Sequence, residues 1–123
     1  MSWGFAVTAD LEHAEALLST AAKAEFDEKD RAARVMRERS QIARASGFTE
    51  AADEDQATSE FTAGASVAGR AQASAAIEAA LVLMREEHIS PAVISITGEA
   101  NPEHAADHDR GLPARITVSI VRA

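Results

Sequence analysis

Residues 98–113 (GEANPEHAADHDRGLP) contain the densest group of side chains that could bind a metal or act as acid or base. His104 and His108 are four residues apart, which places two imidazoles on one face if the segment is helical, and Pro102 could begin such a turn. Histidine and carboxylate ligands at this spacing suit zinc or a similar divalent ion. The alternative is a polar loop without fixed ligand geometry. The alternative is preferred, so we predict no metal, and His104 and His108 are the candidate ligands if one binds.

A second group is basic. Residues 29–44 hold six bases and two acids, and a helix would place Arg34, Arg37 and Arg44 near one side. Such a face could bind nucleic acid or an acidic partner. It could equally be the outer face of an amphipathic helix docked against the acidic residues 50–60, and this structural interpretation is preferred. The stretch has no aromatic residue among its arginines, which argues against binding of single strands.

Other chemistry finds little support. The chain has no cysteine, so it has no thiolate nucleophile and no disulfide. No serine lies in a GxSxG setting, and the glycine-containing stretch TAGASVAGRA lacks the lysine of a phosphate-binding loop. His13 and His88 lie on predicted helices, where they are expected at the boundary of apolar stripes. We therefore predict no catalytic residue, no cofactor and no enzymatic activity.

The elements that position these residues are organised around a carboxy-terminal hairpin. Residues 92–97 and 116–121 alternate apolar and polar side chains, and most of the apolar ones are β-branched, as in half-buried antiparallel strands. Ile94 and Ile96 share one face of the first strand; Ile116, Val118 and Ile120 share one face of the second. The sixteen-residue loop between them is far longer than a hairpin needs, which is typical of functional or disordered segments.

Residues 2–8 (SWGFAVT) alternate in the same way, with Trp3, Phe5 and Val7 on one face. A terminal strand needs a partner to be ordered, and the hairpin is the partner that the sequence offers. Together they make a three-stranded antiparallel sheet.

An amphipathic helix follows, for which Thr8 or Asp10 can act as the N-cap. The pattern continues to Gly47, a plausible C′ residue, with Val35, Met36 and Ile42 as further apolar contacts. A single helix over 9–46 would be about 55 Å long at about 1.5 Å per residue. We expect it either to project as an arm or, by preference, to break within residues 26–30, where Asp27 or Asp30 would cap the second piece. The apolar stripe of the first part is Leu11, Ala14, Leu18, Ala22 and Phe26.

Residues 49–60 carry five acids and no base, which predicts a solvated linker or a frayed helix start. The helical pattern returns over residues 65–88. Its predicted stripe comprises Ile77, Leu81, Met84 and His88, extended backwards by Val67, Ala71 and Ala75. Small residues near Gly69 would permit close approach of another helix.

These elements predict one α+β domain over residues 1–123, in the order β-α-(α)-α-β-β. A three-stranded antiparallel sheet would be covered on one face by two or three helices. Residues 27–62 would form a projecting helical arm and acidic linker.

Composition limits the partners. Twelve basic against twenty acidic residues give a net charge of −8, which argues against binding of DNA or an anionic membrane by the protein as a whole. We find no basic-then-apolar signal at the amino terminus, and we expect no apolar run long enough to cross a membrane.

The string VISITGEANPEH, followed by ITVSIV, resembles the carboxy-terminal hairpin of small proteins encoded by tailed phages of actinobacteria. In those proteins the strand and loop follow an S-[IV]-S-G-x-A-N-P-x-H pattern, and an alanine-rich helix similar to AAIEAALVLM precedes it. The likeness covers about residues 70–121. It departs at Glu99, where histidine is expected, and over 110–115, where a segment with tryptophan is usual. The resemblance implies a virion-associated protein and supplies no catalytic residues.

We therefore expect a non-enzymatic structural or interaction protein, a head or head–tail subunit of a phage virion, found in the host cytoplasm during assembly. Its partners would be further copies of itself or other virion proteins, with nucleic acid and membrane not expected. The alternatives are a small regulatory or antitoxin-like module that uses the basic helix, and a metal-dependent enzyme built on the loop. The candidate interaction residues are Arg34, Arg37, Arg44, Asn101, His104 and His108.

Overall fold

A computed structural model describes residues 2–100 and 113–123 of the chain. The elements are β1 (Ser2–Ala9), α1 (Leu11–Ala45), α2 (Thr49–Glu86), β2 (Ala92–Ala100) and β3 (Pro113–Arg122). This is an α+β arrangement in the order β-α-α-β-β, as the sequence patterns predict. The three strands form one antiparallel sheet in the order β1-β2-β3, so β2 is central and both other strands are edges.

The sheet buries one face, and its register explains which one. Trp3 lies opposite Gly98, Phe5 opposite Ile96 and Ile96 opposite Val118, so the predicted apolar faces of all three strands coincide. Ile94 and Ile96 are fully buried on the central strand, whereas Ile116 on the edge strand is 37% exposed. The helices therefore cover β1 and β2 more completely than they cover β3.

The first half of α1 packs on this face as its spacing predicts. Asp10 is the N-cap, and its Oδ1 accepts a hydrogen bond from the His13 backbone N–H at 2.9 Å. Ala14, Leu18 and Phe26 are buried in the core, where they meet Ile77 and Met84 of α2. A distant residue also secures the start of the helix, because Ser90 Oγ accepts from the Leu11 backbone N–H at 3.0 Å.

The predicted break within residues 26–30 is wrong: α1 is continuous over 35 residues. Of the two alternatives for residues 49–60, the linker is wrong and the helix start is correct, because α2 begins at Thr49. The two helices run antiparallel as a long hairpin, in which α2 shields α1 from end to end. A helix as long as α1 can therefore remain unbroken, because α2, which has a similar length, packs along it.

Small residues fill the interface in the distal half of this hairpin. Buried positions recur every seven residues on both helices, which keeps one face of each turned toward the other. On α1 they are Phe26, Ala33 and Ser40; on α2 they are Ala52, Ser59, Ser66, Ala73 and Ala80. All of these except Phe26 are alanine or serine, and we call those seven residues the small-residue seam. Val35 and Ile42, predicted as contacts, are instead 48% and 68% exposed, because they lie off the seam.

Serine hydroxyls tie the two backbones together across the seam. Ser40 Oγ donates to the Ala52 carbonyl oxygen at 2.7 Å, and Ser59 Oγ donates to the Ala33 carbonyl oxygen at 2.6 Å. Each bond crosses from one helix to the backbone of the other, which requires that the helices lie close. Between Phe26 and Ala73, a stretch described in full, no apolar side chain belongs to the core around the sheet. The distal hairpin is therefore held by its own seam.

Both helices end in a left-handed residue. Gly47 has φ 87°, as its predicted C′ position requires, and the Phe48 N–H bonds the Ala43 carbonyl oxygen at 2.8 Å. At the end of α2, His88 takes the same role with φ 54°, and the Ile89 N–H bonds the Met84 carbonyl oxygen at 2.9 Å. This is the six-to-one bond of the Schellman motif.

Candidate interaction surface

The basic helix and the acidic stretch pair across the tip of the hairpin. Arg44 Nη2 donates hydrogen bonds to Asp53 Oδ1 at 3.1 Å and to Gln56 Oε1 at 3.3 Å. Arg39 Nε lies 3.6 Å from an Asp55 carboxylate oxygen. The predicted docking of the basic helix against the acidic residues is confirmed. Arg44 is thus paired with Asp53 and Gln56 within the hairpin.

Arg34 and Arg37 are both exposed on α1. They line a shallow depression of about 170 Å³ beside Ser59, and Arg37 also borders one of about 450 Å³ shared with Arg44 and Gln56. The structure thus brings the three predicted arginines onto one side of the hairpin. They form a row rather than a closed site.

The most interconnected polar cluster lies nearer the sheet, and the sequence patterns did not reveal it. Arg70 of α2 bonds Asp27 at 2.9 Å and Asp30 at 2.6 Å, both on α1. Ser66 Oγ donates to Asp30 Oδ1 at 2.7 Å. The two aspartates predicted to cap a second helix instead bind across the hairpin. Their spacing of three on α1 was the only signal, and it does not identify the partner.

Electrostatics within this cluster favour the charged forms. Hydrogen bonds from Lys23 and then Arg70 hold the pKa of the Asp27 carboxyl below its ordinary value of 3.8. The hydrogen bond that Arg70 donates to Asp27 also raises the pKa of Arg70. The Arg70 guanidinium also lies 5.7 Å from the centre of the Phe26 ring, a cation–π distance. The cluster is an ion-pair network whose side chains bind each other.

The depression beside Arg70 is small. It has a volume of about 220 Å³, and its walls are Ser19, Ala22, Lys23, Phe26, Arg70, Ser74 and Ile77. Ligand pockets usually enclose most of a molecule's surface and have several convergent polar groups. Here Lys23 and Arg70 are already bonded to Asp27.

The side of α2 opposite the seam is unusual. Nine residues from 63 to 83 are exposed on α2, and a single charge, Glu78, lies among them. We call this set the outer stripe: Ala63, Val67, Ala71, Ser74, Ala75, Glu78, Ala79, Val82 and Leu83. Val67, Ala71 and Ala75 were predicted to extend the buried stripe of Ile77 and Met84. That prediction is wrong, because these residues point away from α1.

The apolar composition of α2 has a second consequence. Contrary to the sequence-based expectation, α2 is long and apolar enough to cross a membrane, with an 18-residue window of mean hydropathy 1.2. Length and composition alone support that possibility, and one third of the window is buried within the fold. Insertion would separate α2 from α1 and break the bonds of Arg70 and Ser66.

The part of the chain that the structure describes also leaves the second face of the sheet uncovered. Three cross-strand rows carry no charge: Gly4, Thr97 and Thr117; Ala6, Ser95 and Ser119; Thr8, Val93 and Val121. An ion pair at 3.9 Å between Glu99 and Arg115 borders them. This face corresponds to the polar face that the strand patterns predict.

The remaining predicted site residues, Asn101, His104 and His108, lie outside the described residues, as does most of the predicted loop. Within residues 2–100 and 113–123, no group of three or more His, Asp or Glu side chains could hold a metal ion. His13 and His88, within that range, are exposed as expected of boundary residues.

Comparison with known proteins identifies no relative. No family model matches the chain, and no curated protein and no solved structure matches it.

Proposed function

We propose that this chain is a non-enzymatic structural subunit that assembles through protein–protein contacts. The observation that carries the proposal is the outer stripe of α2. A helix that is apolar on all sides is normally buried on all sides. Among the described residues, α1 and the sheet cover one side of α2 over residues 61–84, where Arg70 and Glu78 are the only charges, so assembly would cover the rest.

The exposed sides of the two helices differ in charge. The exposed side of α1 is densely charged and includes Glu12, Glu15, Lys23, Glu28 and Arg31. The outer stripe of α2, along the same hairpin, has one charge in nine residues. Charged residues are depleted from the cores of protein interfaces. The asymmetry supports an interface on α2 and solvent on α1.

The setting that we propose is the virion of a tailed phage, in the head or at the head–tail junction, with assembly in the host cytoplasm. This part rests on the resemblance of residues 70–121 to actinobacterial phage proteins. A hairpin of two helices of 35 and 38 residues supports it, because a projecting element of that length can reach a neighbouring subunit.

The non-enzymatic part of the proposal rests on how the polar groups are used. Asp27 and Asp30 each form an ion pair with Arg70. The buried Ser40 and Ser59 donate to carbonyl oxygens, and Ser66 donates to Asp30. A catalytic site instead keeps groups available for the substrate.

The test is absolute mass by light scattering after size exclusion over a tenfold range of concentration. We expect one discrete oligomer. A monomer at every concentration would contradict self-assembly, and the search would then turn to other virion proteins.

A second candidate is a regulatory or antitoxin-like module that uses the exposed Arg34 and Arg37. Binding of duplex DNA should then weaken steeply with salt, and Arg34→Ala with Arg37→Ala should reduce the salt slope. Lys23→Ala on the same helix is the control for loss of one positive charge elsewhere. If no salt-dependent binding is found, this candidate is excluded.

A further inference from the structure

The outer stripe has a charge pattern that indicates its occupant. Glu60 precedes the stripe and Arg85 follows it, and both are exposed. Val67 lies seven residues after Glu60 and eighteen before Arg85, which are two and five helical turns. The acid and the base therefore mark the two ends of the same face.

We propose that the occupant is a second copy of this chain, and that two α2 helices pack antiparallel through their outer stripes about a two-fold axis near residues 72–73. The inference rests on the proposed function and names the partner and the surface. Antiparallel packing places Glu60 of each copy opposite Arg85 of the other, giving two opposite-charge pairs. Parallel packing would instead place Glu60 beside Glu60 and Arg85 beside Arg85.

The middle of the stripe suits close contact. The axis falls between Ala71 and Ser74, with Ala75 next to them, so no large side chain separates the helices there. The seam on the other side of α2 uses the same kind of residue to bring α1 close. In this register Ala63 lies opposite Val82, and Glu78 lies opposite Val67. The methylene groups of Glu78 can cover Val67 while its carboxylate reaches the solvent.

Net charge bears on the choice of a second copy. Each chain carries −8, so most of its surface repels an identical surface. The stripe contributes one negative charge per copy. It is the extended surface of α2 on which two copies can meet with the least repulsion.

Ala71→Glu tests the surface, with Ala32→Glu as its matched control. Both alanines are exposed on helices, so both variants should fold. In the dimer, the carboxylates at position 71 of the two Ala71→Glu chains would be buried close together near the axis. Burying a carboxylate costs far more free energy than leaving it in water. We expect at least a hundredfold weaker self-association for Ala71→Glu by light scattering and no change for Ala32→Glu.

Disulfide mapping tests the orientation, because the natural chain has no cysteine. We expect Ala63→Cys and Val82→Cys, each oxidised alone, to give little linked dimer. Mixed together, they should link efficiently. Parallel packing would link each variant to itself and would overturn the inference. Ala32→Cys on α1 gives the background of random collision.

The outcomes separate this inference from the proposed function. If the wild type forms a discrete oligomer that Ala71→Glu leaves intact, assembly stands and the outer stripe is not its interface. If the wild type is a monomer at every concentration, both fall. A monomer that floats with phosphatidylcholine vesicles would assign the stripe to a lipid surface instead.

Discussion

Gly69 of α2 lies directly against the ring of Phe26 on α1. A Cβ at position 69 would stand 2.5 Å from Phe26 Cε1, well inside van der Waals contact, and 3.3 Å from Trp3 Nε1. Phe26 is fully buried, and its ring centre lies 5.1 Å from that of Trp3. Because Gly69 has no side chain, the rings of Phe26 and Trp3 have room to pack between the hairpin and the sheet.

Gly69→Ala should therefore destabilise the protein. Helix propensity favours alanine by about 1 kcal/mol, but overpacking a closed core costs about 1–3 kcal/mol. We expect a net loss of about 1 kcal/mol in the free energy of unfolding by urea. Ala24→Gly, at an exposed position of α1, measures the propensity contribution alone. A gain in stability for Gly69→Ala would contradict the packing described.

The two helix ends predict substitutions of opposite sign. His88 adopts φ 54°, a region that costs a non-glycine residue about 1–2 kcal/mol, so His88→Gly should stabilise the protein by about 1 kcal/mol. Gly47→Ala should destabilise it by a similar amount, since Gly47 has φ 87°. Thermal denaturation of both variants checks the pair. Glu87→Gly, at φ −91°, is the control and should destabilise.

Removal of a seam hydroxyl should weaken the distal hairpin. Ser59→Ala loses a bond to the Ala33 carbonyl oxygen worth about 1 kcal/mol and gains part of that in helix propensity. Ser59→Val should cost about 1–3 kcal/mol, because the added methyl groups force the helices apart. Ser19→Ala, at an exposed position, isolates the propensity gain. Urea unfolding followed by circular dichroism gives the ranking, and equal stability of the alanine and valine variants would argue against a close seam.

Acid should weaken the Asp27 cluster. Hydrogen bonds from Lys23 and then Arg70 lower the pKa of Asp27 in the folded chain. At acidic pH the Asp27 carboxyl therefore binds fewer protons in the folded state than in the unfolded state. Its contribution to stability is present above the unfolded pKa near 3.8 and is lost as pH falls through the lower folded value. Asp27→Asn should remove that part of the acid dependence, and Glu15→Gln on exposed α1 should not. Identical acid-unfolding curves for wild type and Asp27→Asn would contradict the bridge to Arg70.

The sequence predicted the sheet well because alternation with period two reports directly which side chains are buried. Trp3, Ile94 and Val118 lie on the face expected of them. Asp10 and Gly47 were predictable for a similar reason, since each does local chemistry at a helix end.

The hairpin was harder to predict because its seam consists mostly of alanine and serine rather than of large apolar residues. Ala33, Ser40 and Ser59 are buried, yet none of them marks an apolar stripe, while the larger Val35 and Val67 are exposed. Size, rather than hydrophobicity, decides which face approaches the other helix. The two partners of Arg70, Asp27 and Asp30, are 43 and 40 residues away on α1, and no local pattern contains that information.

The sheet also determines when folding can finish. Ser2 pairs with Glu99, so β1 must wait for a strand 97 residues later in the chain (99 − 2 = 97). At about 5–20 residues per second, β1 is synthesised about 5–20 s before its partner residues in β2 are made. Meanwhile the hairpin can close from its turn outward. Chains that stop at residue 89 should therefore be helical by far-ultraviolet circular dichroism and lack the near-ultraviolet signal of a packed Trp3.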